Sequence, residues 1–403
     1  MTGPAAFDAV VVGGGPAGST LATLLRRAGQ SVVVCDAARF PRHKICGEYV
    51  PPAALPIFAG LGVLEEILAL RPRRHVGMAV ISPDGTKVLG RYGDAGRALA
   101  LRRYDLDRVL LEGARRSGAM VLEGARVVAL HRPPRGGFEV TVLRNGTAEV
   151  LRARVLVGAD GRNSFVARRL GLRRAEPRHR KWAVMAHCRG VATPDDHGEM
   201  IVTPYGYCGV NPLPGDLANV TVVVDPGELR RAMPGGARLG DFFLDRIASH
   251  PLTRARMARA EIVAGPWATG PLACRSARSA DDGVLLVGDA AGFYDPFTGE
   301  GIAMALRGAQ LAAEVLCGAL RRDDVGRRAL EPYERERRRA FRTRLRLDRL
   351  LQAILKRKRL TDWVARRLRR DPALADLLAR VAGDTTDAAE VFRPGFVARL
   401  ILA

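Results

Sequence analysis

The chain has 403 residues with 47% hydrophobic content, enough for a large core and, by length, for two domains. Its composition excludes a collagen, a coiled-coil rod and a low-complexity chain, and no run of about 18 apolar residues offers a membrane-spanning helix. The formal net charge is +22, and the six cysteines hold no Cys-x-x-Cys pair and no metal-ligand spacing with histidine, which excludes a disulfide framework and a zinc site.

The apolar run 7–12 reads as a buried strand, 16–28 as a helix and 31–36 as a second strand, together one βαβ unit. A loop rich in Arg, Pro and Gly covers 39–56. Strands over 76–82 and 87–91 flank Pro83-Asp84-Gly85, the signature of a hairpin turn. A helix follows over 104–117. Strands over 126–130, 138–143 and 148–153 form a meander, and 155–158 is a further buried strand. Residues 181–225 alternate as strands broken by the turn Pro212-Leu213-Pro214-Gly215-Asp216, and 230–250 is expected to be one helix. A buried strand at 283–287 and a helix over 301–320 follow. The remainder is helical, with a break near 383–386, and Leu347, Leu350, Leu351, Ile354 and Leu355 fall at helical spacing for packing onto the first domain.

Three glycine–acid clusters carry the chemistry. Gly13-Gly14-Gly15-Pro16-Ala17-Gly18 lies between a strand and a helix, and the second strand ends in Asp36. In such a unit Gly13 allows the tight turn, Gly15 lets a pyrophosphate approach the backbone, and Gly18 lets helix and strand pack closely. The helix start, with Pro16 and Ala17, offers free N–H groups and a positive dipole end, while Asp36 can accept hydrogen bonds from a ribose. This cluster alone fits NAD or FAD. The second cluster ends an apolar strand in Gly158-Ala159-Asp160-Gly161, and the third ends another in Gly288-Asp289, then runs through Pro296 to Gly299-Glu300-Gly301-Ile302. Each places a carboxylate at the carboxyl end of a parallel strand, where ligands of open α/β sheets bind.

These segments resemble the fingerprints of the para-hydroxybenzoate-hydroxylase-like flavoprotein superfamily, whose fold geranylgeranyl reductases and flavin-dependent halogenases share. The resemblance covers most of the chain up to about residue 320. It implies an α/β protein: a Rossmann-type FAD-binding domain from 1–75, 100–175 and 275–320, an inserted antiparallel-sheet substrate domain from 76–99 and 176–274, and a C-terminal helical region over 321–403. It also implies FAD as cofactor, held by the first cluster, Asp36, Asp160, Gly288, Asp289, Pro296, Gly299, Gly301 and Ile302, with Asp289 on the ribityl chain, and NADH or NADPH as electron donor. Arg103, in Arg-x-x-Leu-Asp-x-x-Leu, matches an FAD-facing arginine. The segment from Phe40 to Val50, with Arg42, Lys44 and Cys46-Gly47-Glu48-Tyr49, is similar to a loop of the geranylgeranyl-reductase-like branch that runs beside the flavin ring. On this likeness Arg42 and Lys44 meet phosphate, and Cys46 and Tyr207 are the candidate catalytic side chains. The stretch from Pro204 to Pro214 lacks the tryptophan of prenyl reductases, and no Trp-x-Trp-x-Ile-Pro halogenase motif occurs.

The leading expectation is therefore an NAD(P)H-dependent monooxygenase acting through a flavin hydroperoxide on an aromatic, polyketide-like or lipophilic small molecule. The alternative is a flavin reductase of C=C bonds in a prenyl or quinone lipid, and the third is a non-catalytic flavin-binding redox module. His43, His75, His131, His179, His187, His197 and His250 are dispersed and form no legible nucleophile–base arrangement. Residues 321–370 hold 20 Lys or Arg against 7 Asp or Glu. This is first a solvated helical face and second a surface for peripheral contact with anionic lipid. No nucleic-acid module accompanies it. A cytoplasmic or membrane-associated protein, monomer or homodimer, is expected.

Overall fold

The computed structural model describes residues 6–176, 180–232 and 238–402; His179 and part of the expected helix over 230–250 lie outside them. Among the described residues the strands form one eight-stranded sheet, one seven-stranded sheet and two three-stranded ones. The first sheet has a parallel centre in the order Val284–Leu286, Thr147–Gly158, Ala6–Val12, Val32–Asp36 and Met120–Glu123. Its valine-rich strands suit a sheet covered on both faces. On one face pack the helices Pro16–Arg27 and Gly301–Arg321 with the start of Arg327–Leu355; on the other pack the strands Ala125–His131 and Phe138–Arg144 and the short helix Phe165–Arg169. Residues 148–158, read from the sequence as two strands, are one continuous strand, Thr147–Gly158. It pairs antiparallel with Phe138–Arg144 along its first half and parallel with Ala6–Val12 along its second.

The seven-stranded sheet runs Glu261–Thr269, Trp182–Arg189, Leu217–Val224, Gly206–Pro212, His197–Thr203, Gly77–Ile81 and Lys87–Arg91. It is not purely antiparallel: His197–Thr203 pairs parallel with Gly77–Ile81. The outer face is apolar, with Val184, Ala186, Cys188, Cys208, Val210, Val220 and Val222 packed on Phe242, Phe243 and Ile247. The single helix expected over 230–250 is instead the helices Pro226–Ala232 and Leu239–Ala248, with Pro251–Arg256 beginning anew at its proline.

The C-terminal helices Arg327–Leu355, Lys358–Arg370, Pro372–Ala382 and Pro394–Leu402 do not all lie on the first domain. Leu330 and Tyr333 pack there, whereas Leu347 and Leu351 join a separate core with Leu368, Leu374 and Val88 of the hairpin. Asp362 and Asp376 accept the backbone N–H groups of Asp84 and Arg91 in that hairpin. Helix Gly301–Arg321 is long and apolar enough to cross a membrane, but 67% of its apolar window is buried inside the protein, as in a core helix.

Candidate FAD site

The carboxyl ends of the parallel strands bring the three clusters together. Gly13 has φ +107°, and a Cβ there would stand 2.4 Å from the Ala159 carbonyl oxygen. A Cβ on Gly18 would stand 1.9 Å from the Gly13 carbonyl oxygen. Side chains are thus excluded where the helix Pro16–Arg27 starts. Gly15 differs, because a Cβ there would meet only guanidinium nitrogens, Arg42 at 3.6 Å and Arg103 at 4.0 Å. Its backbone faces open space bordered by cations. Asp36 accepts the Gly14 N–H at 2.8 Å through one carboxylate oxygen and the Ala38 N–H at 2.8 Å through the other, which fixes it beside the turn.

Both arginines share one anion. Asp107, fully buried, receives Arg103 through two hydrogen bonds of 2.7 Å and Arg42 Nη1 at 3.0 Å. Arg42 Nη2 also lies 3.9 Å from Asp36, and the guanidinium nitrogens bordering Gly15 offer charged donors suited to phosphate. Lys44, an exposed residue, adds to them; crowding by surrounding protein, then Arg103, holds its ammonium below the ordinary lysine range. Gly288, at φ +58°, places a would-be Cβ 2.9 Å from the Ala17 methyl, so Asp289 comes to rest next to the first helix. Burial pushes the Asp289 carboxyl up, while Lys44, Arg103, Arg162 and Arg337 pull it down.

Asp160 follows its strand beside the first turn, where Gly13 closes on its backbone. One carboxylate oxygen accepts the N–H groups of Phe165 at 2.6 Å and Val166 at 3.2 Å, capping the helix Phe165–Arg169 together with Ser164. Its other oxygen is buried and unpartnered. Ile302, at the start of the helix Gly301–Arg321, packs its side chain in a core with Val50, Phe58 and Leu306. Pro296 accepts the Gly299 N–H at 3.0 Å to close a turn, and Gly299, at φ +75°, would press a Cβ to 3.0 Å from Tyr49. Gly301 then opens its helix.

The loop from Cys46 to Glu48 is held by one rung of the seven-stranded sheet. His187, Asn219 and Asn211 stand side by side on its inner face. The Asn219 amide donates to the Cys46 carbonyl at 2.8 Å and to Glu48 at 3.0 Å. The Asn211 amide donates to the Gly47 carbonyl at 2.8 Å, and His187 Nε2 lies 2.7 Å from Glu48 Oε2. Arg103 N–H donates to the other Glu48 oxygen at 2.9 Å. Glu48 is buried at φ +57°, a left-handed conformation these bonds hold in place. Burial pushes the Cys46 thiol up, so the neutral thiol is favoured.

Residues 6–347 match the family described as FAD binding domain. The chain belongs to that family. It is a member of the para-hydroxybenzoate-hydroxylase-like flavoprotein superfamily and an FAD-dependent enzyme. Conditioned medium factor receptor 1 of Dictyostelium discoideum is 29% identical over 350 residues, 81% of this chain and 66% of that protein. Menaquinone reductase of Mycobacterium tuberculosis is 32% identical over 328 residues, 77% of this chain and 76% of that one. Digeranylgeranylglycerophospholipid reductase of Methanoculleus marisnigri is 29% identical over 342 residues, covering 82% and 81%. In fold, a flavoprotein/dehydrogenase from Cytophaga hutchinsonii superposes with TM-score 0.86 at 20% identity over 98% of both chains. The flavin-dependent brominase Bmp2 superposes with TM-score 0.84 at 22% identity over 99% and 100%.

The residues present fit FAD. The side-chain-free turn, the open Gly15 backbone under Arg42 and Arg103, and Asp36 and Asp289 on either side of the helix start suit a dinucleotide. The flavoprotein's sheet face beside this cleft forms a slot of about 70 Å³ lined by Tyr49, Met78, Met200, Tyr207, Val223 and Phe297. Tyr207 gives its ring to the wall and its hydroxyl to Asp295 at 2.6 Å, with Lys181 3.4 Å from the same carboxylate. Burial, and Asp295 next to it, raise the phenol well above its ordinary range. Sequence reasoning missed His187, Asn211, Asn219, Lys181 and Asp295. Their partners lie 88 to 173 residues away along the chain, beyond any spacing pattern.

Proposed function

We propose that the flavoprotein reduces a carbon–carbon double bond in an isoprenoid lipid or in the isoprenoid chain of a quinone, with NADH or NADPH as electron source. The carrying observation is the slot: apolar, narrow, and set against the loop that holds Cys46. Two relatives covering over three quarters of the chain are named reductases of a quinone and of a prenylated phospholipid, which moves this reading ahead of hydroxylation. FAD supplies the hydride chemistry when bound. Gly13 to Gly18, Asp36, Arg42, Lys44, Arg103 and Asp289 hold it. Met200, Tyr207, Val223 and Phe297 grip the aliphatic chain and exclude water. Tyr207 keeps its proton and turns it to Asp295, so its ring is a wall. Cys46, held neutral, carries at Sγ the proton that the second carbon takes up.

The exposed arginines of Arg327–Leu355, beside the exposed Leu350, suit contact with the anionic surface that would present such a lipid. The test is anaerobic turnover with a polyprenyl quinone, read by mass spectrometry. The proposal expects a gain of two hydrogens per turnover without O₂; a product formed only in air and carrying an added oxygen contradicts it. Cys46→Ala is expected to slow this reduction by about 100-fold with FAD still bound, and Cys46→Ser to recover part of the rate.

A further inference from the structure

Helix Arg327–Leu355 carries ten arginines, and only Arg344 of them is buried. Arg344, at 4% exposure, points toward the turn that starts helix Gly301–Arg321. Its Nη1 lies 2.6 Å from Glu300 Oε1, and its Nη2 lies 2.9 Å from Asp384 Oδ1 and donates to the Val381 carbonyl at 2.7 Å. Glu300 is equally buried, at 3% exposure. It sits between Gly299 and Gly301, with the Arg344 guanidinium as the cation against its carboxylate. A buried carboxylate whose partner is a single guanidinium carries a desolvation cost that this ion pair and the helix start offset.

The helix start contributes a positive dipole end of about half a charge. Glu300, when ionised, opposes that field, and Arg344 restores it. We propose that the Arg344–Glu300 pair sets the electron affinity of the bound flavin, making Arg344 a positioning residue through which the C-terminal helices act on the cofactor. This rests on the FAD-site reading. The other groups facing Glu300 are Asp348 of the same C-terminal helix, Asp384 after Pro372–Ala382, and Tyr92 beyond the hairpin, whose phenol is raised by burial and by the Glu300 charge. Burial pushes the Glu300 carboxyl up to about 8, with Arg344 acting against it, so its charge changes within an accessible range.

The experiment is the midpoint potential of FAD-loaded protein by dye equilibration, from neutral pH to well above 8. Glu300→Gln removes the acid with little change of shape. It is expected to favour reduced over oxidised FAD by about ten-fold above pH 8, equal to about 30 mV for a two-electron couple, and to converge with the parent at neutral pH. Arg344→Gln is expected to lower the potential and Arg344→Lys to restore it. A Glu300→Gln protein that binds FAD with the parent's potential at every pH overturns the proposal. So does one that folds yet holds no FAD, because the pair would then only shape the turn. A parent chain that takes up no FAD overturns the site reading instead, which separates the two failures.

Discussion

At the nucleotide turn Gly18 carries no side chain because the Gly13 carbonyl oxygen lies 1.9 Å from where a Cβ would stand. On the inner face of the seven-stranded sheet Asn219 and Asn211 carry amides because the carbonyls of Cys46 and Gly47 accept them at 2.8 Å. The first region is built by leaving atoms out, the second by supplying donors from a neighbouring domain. Steric exclusion admits no compromise, whereas a hydrogen-bonded rung can lose one member and keep its register. The cradle should therefore fail abruptly on substitution and the clamp by degrees.

Gly18→Ala is the harshest break of this contrast. The overlap forces helix and strand apart and is expected to cost about 3 kcal/mol, read as a fall in melting temperature and loss of bound FAD. Asn219→Ala should cost about 1–3 kcal/mol, with faster amide exchange confined to residues 46–49 and FAD retained. If Asn219→Ala unfolds the chain as completely as Gly18→Ala, the distinction between the regions disappears. The smallest effect is in pH. Glu300 is pushed up to about 8 from an ordinary 4.5, and Asp348 up to about 7 from 3.8, both by burial. The folded chain thus keeps protons that the unfolded chain has lost, and stability falls as pH rises from about 4 to about 8. Glu300→Gln should flatten that slope in urea titrations at stepped pH.

The same contrast explains what the sequence disclosed. Glycines that a turn or a close approach requires recur at short spacing, so Gly13, Gly18, Gly288 and Gly299 were legible, with Gly15 between the first two, as were the strands and helices they separate. Asp36 and Asp289 stood out because each ends an apolar strand. Asp160 also ends an apolar strand; that one of its oxygens caps Phe165–Arg169 follows from local backbone geometry no spacing reveals. The rung was invisible: His187, Asn211 and Asn219 are ordinary polar residues in alternating strands, and their common partner, the loop after the first βαβ unit, lies at least 139 residues earlier along the chain. Likewise Arg344 is one arginine among ten until helix packing turns it inward. Val88 drew Leu347 and Leu351 away from the first domain because the hairpin 77–91 offered an apolar edge that periodicity cannot reveal.

The central claim is that the turn at Gly13, with Asp36 and Asp289 to either side, grips one flavin nucleotide. Titrating flavin-stripped protein with FAD, followed by quenching of flavin fluorescence, tests it most directly. One FAD per chain is predicted, with binding markedly weakened in Asp289→Asn. A native-like protein that leaves the fluorescence unchanged, or an Asp289→Asn variant that binds as tightly as the parent, would contradict it.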